Sequence, residues 1–488
     1  MDNEGVKKRA KTTSSSSSMV AGDDDDRISK LPDSVIIHIL SFLPTEDVVQ
    51  TCILSKRWKL IWYSVPTISF SYNIELKQDQ QKFYTYMKKY LKHRKKAMDN
   101  ITDLVITSFN LKINDFYQRS KAGLLDKWLA FAVENKVKEL HLKIGLGKKR
   151  MFMYYPEYYY CLPKVVDNAT YLTVLELDGV ELDTSCSFSF PSLKILSLEE
   201  IHQADTSKDN VDVVFKFLLG CPCLEKLRLH NYEFLRGDGK LPLQSLGLKF
   251  LELKRTDNQD DLRIEAINLE SLVISGDSAD NVNLSACKKI RNLSFDDIGD
   301  IFDLSLNALI SNYPLLENLT LRFKYTNDEH LKISGQRLKS FNFKNLCCKP
   351  CNITIESAPK LGYFCYEGYL DLSILIEPSN SLSGKIVISE GYNDGYNGYD
   401  SIWFTDMLNF LLNLNCSWNT ISLHVKEYEA LIWPEKLKRV CRSPLLNWKH
   451  LKVITNYGNP ERISDLKESL MWISPSLETL SINEKCIF

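Results

Sequence analysis

The phrase LTVLEL, Leu172–Leu177, returns as LKILSL at Leu193–Leu198, with large apolar residues at its first, fourth and sixth positions. Variants of the phrase begin at Val137, Leu224, Leu248, Leu269, Ile290, Leu316, Leu338 and Leu361. The fourth and sixth positions lie two apart, the period of a β-strand, so their side chains share one side and the residues around them take the other. A single unit of this kind leaves its apolar edge open to water. Several must stack, each covering the next, and the sequence thereby predicts a curved solenoid whose short strands form a parallel sheet.

Steps between successive copies run from 21 to 35 residues, and most fall inside the roughly 20–29 residues of leucine-rich repeats. The two long steps, after Val137 and after Leu193, imply insertions. The expected fold class is α/β, with the solenoid over residues 71–375. It begins with a helix from about Glu75 to Met98, a strand in ITDLVITSF (Ile101–Phe109) and a helix in LLDKWLAFAVEN (Leu124–Asn135). Over residues 376–488 the rhythm weakens, and SWNTISLHV, WKHLKVI and SPSLETLSI suggest further, irregular repeats.

Ahead of the solenoid, residues 1–26 hold KKRAK, five consecutive serines and DDDD, with almost nothing apolar, and are expected to be disordered. Within them Lys8, Arg9 and Lys11 form a candidate nuclear import signal, against the simpler alternative of a solvated charge run. Residues 27–70 are quite different. From Leu31 to Val65, nineteen of thirty-five positions are apolar, aromatic or cysteine. Asp33 is expected to cap a helix that Val35, Ile36, Ile37, Ile39, Leu40 and Phe42 nearly encircle, and Pro44 to end it. Thr45 is expected to cap a second helix carrying a stripe of Val48, Val49, Cys52 and Ile53. The segment is too apolar for a linker and too short to close a core alone, so its side chains need a cover, from the solenoid or from another protein.

Composition narrows the function. Lys and Arg number 61 against 62 Asp and Glu, which gives no global field for nucleic acid or membrane. No apolar run approaches the roughly 20 residues that span a bilayer, and no apolar core follows the basic N-terminus as a signal peptide requires. The odd set of 13 cysteines suits a reducing compartment, nucleus or cytoplasm. Motifs for phosphate, dinucleotide, zinc-hydrolase and serine-hydrolase chemistry are missing, so no catalytic residue is assigned. Cys221 with Cys223, and Cys347, Cys348 with Cys351, lack the complementary pair a structural zinc site needs. No metal and no cofactor are expected. GYNDGYNGYD (Gly391–Asp400) imitates a calcium loop without its terminal glutamate. MFMYYPEYYY (Met151–Tyr160) is either a recognition surface or a flap over the solenoid edge. The outward strand positions Glu176, Asp178, Glu199, Asp296 and Glu367, with Arg228, His230, Glu252, Lys254, Arg322 and Lys344, mix charge signs. The last six are the candidate target-binding residues, since a mixed lining suits a protein partner.

The stretch LPDSVIIHILSFLPTEDVVQTCILSKRWKLIW, Leu31–Trp62, closely resembles an F-box of the plant type, through Leu31-Pro32, Phe42-Leu43-Pro44, Val48-Val49, Cys52, the LSKRW of Leu54–Trp58, and Trp62. The segment from Trp448 to Ile482 is similar to the one that precedes an FBD domain in plant F-box/leucine-rich-repeat proteins, with the FBD module itself cut short. The resemblance implies that Leu31, Pro32, Ile36, Ile39, Leu40 and Leu43 grip a Skp-type adaptor, and through it cullin and RING subunits. The solenoid would then bind an unknown protein substrate for a ubiquitin ligase. A scaffold that never drives ubiquitination and a small-molecule co-receptor are the alternatives. The resemblance carries no inositol phosphate here, because the outward face lacks the dense basic cluster that would hold it.

Overall fold

A computed structural model describes residues 28–484, except 29, 74–78, 99–103, 115–116, 146–158, 205–210, 236–242, 257–261, 277–281, 299–311, 324–329, 346–350, 371, 377–381, 390–398, 415–417 and 458–459. The candidate import residues Lys8, Arg9 and Lys11, Cys347 and Cys348, and most of the tyrosine-rich and glycine-rich stretches lie outside the described residues. The chain divides into two compact units, one ending at Val65 and the other beginning at Pro66.

The first unit is helical, with α1 (Asp33–Leu40), α2 (Thr45–Gln50) and α3 (Lys56–Ser64). Two caps differ from expectation. Pro32 occupies the cap position of α1, and Asp33 is its first residue, free to accept hydrogen bonds from Arg57 through Nε at 2.8 Å and Nη2 at 2.5 Å. Pro44 does not end α1, which stops at Leu40; it sits at the cap position of α2 instead. Proline suits that place because its fixed φ costs nothing there and the helix start has no use for its missing N–H. Ser55 caps α3 by accepting from the Trp58 N–H at 3.3 Å.

The second unit is built on one sheet of sixteen parallel strands in strict chain order. Its strands are β1 (Thr67–Tyr72), β2 (Ser108–Ile113), β3 (Glu139–Ile144), β4 (Val174–Asp178), β5 (Ile195–Glu199), β6 (Lys226–His230), β7 (Phe250–Lys254) and β8 (Ser271–Ser275). They continue as β9 (Asn292–Ile298), β10 (Asn318–Phe323), β11 (Ser340–Asn345), β12 (Tyr363–Gly368), β13 (Leu382–Ile388), β14 (Trp418–Glu427), β15 (His450–Tyr457) and β16 (Thr479–Glu484). Three small parallel sheets of three strands each lie in the return segments, among them His330–Ile333, Cys351–Ile355 and Leu372–Ile376. Other returns are helical, through α4 (Gln80–Met98), α5 (Ala122–Glu134), α6 (Val213–Gly220), α7 (Ser401–Asn413), α8 (Glu435–Val440) and α9 (Ile463–Ile473).

Register explains why the phrase repeats. Its fourth position forms one continuous row, Leu175 beside Leu196, Leu227, Leu251, Leu272, Leu293 and Leu319, and its sixth position a second, Leu177 through Leu198, Leu229, Leu253 and Ile274. All of these are buried, as are the first-position residues Leu172, Leu193, Leu224, Leu248 and Leu269. Each buried leucine contributes about 1.5–3 kcal/mol, but only because the next repeat covers it.

Five consecutive strands, β4 to β8, end the same way, on a residue with positive φ: Gly179, Glu200, Asn231, Arg255 and Gly276. The N–H of each donates to a carbonyl of the following strand, at 2.8–3.1 Å, and in the first four cases that carbonyl is the strand's last. A left-handed residue costs about 1–2 kcal/mol when it is neither Gly nor Asn, and the carried-over hydrogen bond offsets that cost at Glu200 and Arg255.

Two expectations shift. The strand placed at Ile101–Phe109 begins only at Ser108, and the helix placed from Glu75 begins at Gln80. Beyond residue 375, where further irregular repeats were expected, the same sheet continues through β13 to β16. The weaker rhythm there arises because the returns are helical: Trp403, Phe404, Met407 and Leu411 of α7, and Leu466 and Leu470 of α9, supply core that return strands supply elsewhere.

Candidate protein-interaction surfaces

Two surfaces carry side chains that the fold itself does not require. In the helical unit, α1 packs on α3, and Ile36, Leu40, Val48, Trp58, Ile61, Trp62 and Val65 are buried. Helical geometry sends the rest of the apolar set elsewhere. Val35, Ile39, Phe42, Leu43, Ile53, Leu54 and Leu60 all stand exposed, Phe42 at 75% and Ile53 at 88%.

The expected adaptor-binding residues fall on both sides of this division. Pro32, Ile39 and Leu43 are exposed and Leu31 is half-buried, but Ile36 and Leu40, at 1% and 2% exposure, are core residues. They lie four apart and share the packed side of α1. The expected stripe on α2 also breaks: Val48 is buried while Ile53 is exposed, because the helix tightens into a 3-10 turn over Thr51–Ile53. Phe42, Ile53, Leu54 and Leu60 belong to the exposed set and were absent from the expected one. Their signal in the sequence was an excess of apolar residues over what one packed face of a short helix can hold.

The second surface is the outward side of the sheet. Its charges pair across neighbouring strands. On β3 and β4, His141 Nδ1 lies 2.8 Å from Glu176 Oε2, and Lys143 pairs with Asp178. Arg228 of β6 reaches Glu176 at 3.9 Å on one side and Glu252 at 3.3 Å on the other. Glu252 also meets His230 at 3.6 Å and pairs with Lys254, and the Arg228 guanidinium lies over the Phe250 ring at 5.7 Å. Of the six candidate target-binding residues, Arg228, His230, Glu252 and Lys254 are thus one cluster.

Arg322 and Lys344 belong to another. They sit side by side on β10 and β11, with Asp296 at 3.1 Å from Arg322 and Glu367 at 2.5 Å from Lys344. Between the clusters runs a neutral ladder, in which Asn292 donates to Ser271 at 2.8 Å and Asn318 donates to Asn292 at 2.6 Å.

Pairing moves the titrations. The Glu252 carboxyl is held down to about 2, first by the His230 ring and against its own burial, then by Lys254. The hydrogen bond to Glu176 raises His141, and the same bond lowers Glu176. Such a face offers alternating charge with fixed geometry, which selects partners by complementarity more than by net attraction.

The remaining candidates resolve into structure where they are described. Tyr160 is buried and its hydroxyl donates to Asp126 at 2.6 Å, while Tyr159 stacks on His202. Asp400 accepts from the N–H groups of Ile402 and Trp403 and caps α7. Cys221 is buried, Cys223 exposed, and among the described residues no group of three or more His, Cys, Asp or Glu is placed to hold a metal. No described helix is long and apolar enough to cross a membrane.

Comparison with known proteins agrees with both units. The family model for the F-box domain matches residues 28–69, and the model described as At1g61320/AtMIF1, LRR domain, matches residues 97–383. F-box/LRR-repeat protein 25 of Arabidopsis thaliana is 32% identical over 232 residues, 47% of this chain and 76% of that protein. The FBD-associated F-box protein At3g52670 of the same plant is 24% identical over 378 residues, 76% of this chain and 77% of its own. Putative F-box/FBD/LRR-repeat protein At5g44950, also from Arabidopsis thaliana, is 29% identical over 397 residues, 72% of this chain and 80% of its own. The F-box match falls on the helical unit and the LRR match on the stacked sheet, and the chain belongs to the plant F-box/leucine-rich-repeat family.

Proposed function

We propose that the chain is the substrate-recognition subunit of a Skp–cullin–F-box ubiquitin ligase. The observation that carries this reading is the exposed apolar set of the helical unit, Ile39, Phe42, Leu43, Ile53, Leu54 and Leu60. Covering each would contribute about 1.5–3 kcal/mol, and a patch of this kind marks an interaction site. A Skp-type adaptor is the cover that the F-box match supports. The outward face of the sheet then holds a protein target through its paired charges. The subunit's part is proximity: it holds the target beside the ubiquitin-carrying enzyme and converts a bimolecular encounter into an effectively intramolecular one.

The test is co-purification with a Skp-type adaptor. The double variant Ile39→Asp with Leu43→Asp is expected to keep its helical circular dichroism and to lose adaptor binding by at least about 100-fold, the equivalent of roughly 3 kcal/mol. A folded double variant that still captures adaptor at the original affinity would overturn the proposed docking face. Leu40→Asp serves as the contrast, because its buried position predicts loss of the fold as well as of binding.

A further inference from the structure

One helix departs from the charge balance of the chain. α4, Gln80–Met98, contains seven Lys and Arg residues and no Asp or Glu, in a protein whose totals are 61 and 62. Its apolar side, Phe83, Tyr84, Met87, Tyr90, Leu91 and Ala97, is buried together with Arg94. The other side exposes Lys82, Lys88, Lys89, Lys92, His93, Lys95 and Lys96. From Lys82 to Lys96 this face is about 21 Å long at 1.5 Å per residue.

Among the described residues, ion pairs engage Lys82 and Lys95. Lys82 lies 3.7 Å from Asp79 and Lys95 lies 3.6 Å from Glu134, and all four side chains are at least half exposed, so both pairs exchange readily with other partners. Lys88, Lys89 and Lys92 have no carboxylate within ion-pair distance among the described residues. The adjoining start of α5 adds Lys121, which donates to Gln81 at 3.0 Å, and the exposed Lys127.

We infer that this face of α4 is a docking site for an acidic segment of a partner protein, independently of the ligase role proposed above. Three features favour that occupant over other polyanions. The only arginine on the helix is buried, so the face lacks the planar fork that recognises phosphate in bidentate fashion. No large apolar side chain is exposed among the lysines, so nothing is available to enter a lipid layer. The chain as a whole is nearly neutral, and its field beyond a Debye length of about 8 Å is weak. A duplex or a membrane is larger than the about 21 Å of this face and extends beyond it. A short carboxylate-rich stretch meets α4 alone, and about six or seven extended residues, at roughly 3.3 Å each, cover its length.

The experiment is fluorescence anisotropy with the full chain and a labelled twelve-residue peptide of alternating Asp and Glu. Binding is expected near 50 mM salt and should weaken about tenfold by 300 mM. The triple variant Lys88→Glu, Lys89→Glu and Lys92→Glu should lose at least tenfold more, and the corresponding Gln variant an intermediate amount, with circular dichroism unchanged in both. The control Lys436→Glu, Lys452→Glu and Lys467→Glu makes the same change in net charge on α8, β15 and α9 and should bind as the parent does. Absence of binding overturns the proposal, and so does an equal loss in the control. Tighter binding to a duplex of twelve base pairs or to phosphatidylserine vesicles, abolished by the same triple variant, overturns it in favour of that partner.

Discussion

Glu252 shows how one residue takes its character from neighbours far away in sequence. Its carboxylate is shared by Arg228, His230 and Lys254, which reach it from its own strand and the one before. Because its folded value lies near 2, below the ordinary 4.5, the stabilisation is fully present above pH 4.5 and is lost as pH falls from there toward 2. Glu252→Gln is expected to lower stability by about 2 kcal/mol at pH 7, measured by urea unfolding of the full chain, and by almost nothing near pH 2. A difference that persists undiminished at low pH would show that packing, not charge, is what Glu252 supplies. The sequence marked Glu252 as an outward polar position, and its charge partners two, twenty-two and twenty-four residues away became legible only through strand register.

Among the elements, α6 is held by a buried anchor. Asp212 is buried at 3% exposure and accepts from four neutral donors: the N–H of Val214 at 2.8 Å, the Tyr232 hydroxyl at 2.7 Å, Gln203 Nε2 at 2.9 Å and the N–H of Leu235 at 2.9 Å. It thus caps α6 and ties the helix to the segments before and after it. Asp212→Ala removes the cap, worth about 0.5–2 kcal/mol, and strands several buried donors, each at about 1–3 kcal/mol. The expected loss is about 3–5 kcal/mol, read as a lowered urea midpoint, and a loss under about 1 kcal/mol would refute the anchoring role. The same scale accounts for the misplaced helix boundaries. Pro44 was legible as a break between α1 and α2, yet whether a proline closes one helix or opens the next depends on where the preceding turn settles.

At the scale of the whole molecule, stability follows position in the stack. Leu319 in the middle of the sheet is fully buried, whereas Leu480 and Ile482, on the terminal strand β16, are only half-buried. The fourth-position leucine should therefore be worth different amounts at the two places. Leu319→Ala is expected to cost about 2–5 kcal/mol and Leu480→Ala about 1 kcal/mol, and equal shifts in the unfolding midpoint would contradict a stack in which each repeat is covered by the next. The sequence by itself determined the repeat, its strands, its buried rows and the apolar excess of the helical segment, because periods of two and about four residues are local and survive without tertiary information. Only the tertiary structure decided which apolar residues of α1 are core and which are left exposed, which outward charges are already paired, and that the sheet runs on past residue 375. Each of those depends on a neighbour brought close by stacking or packing, and contacts of that kind leave no period in the chain.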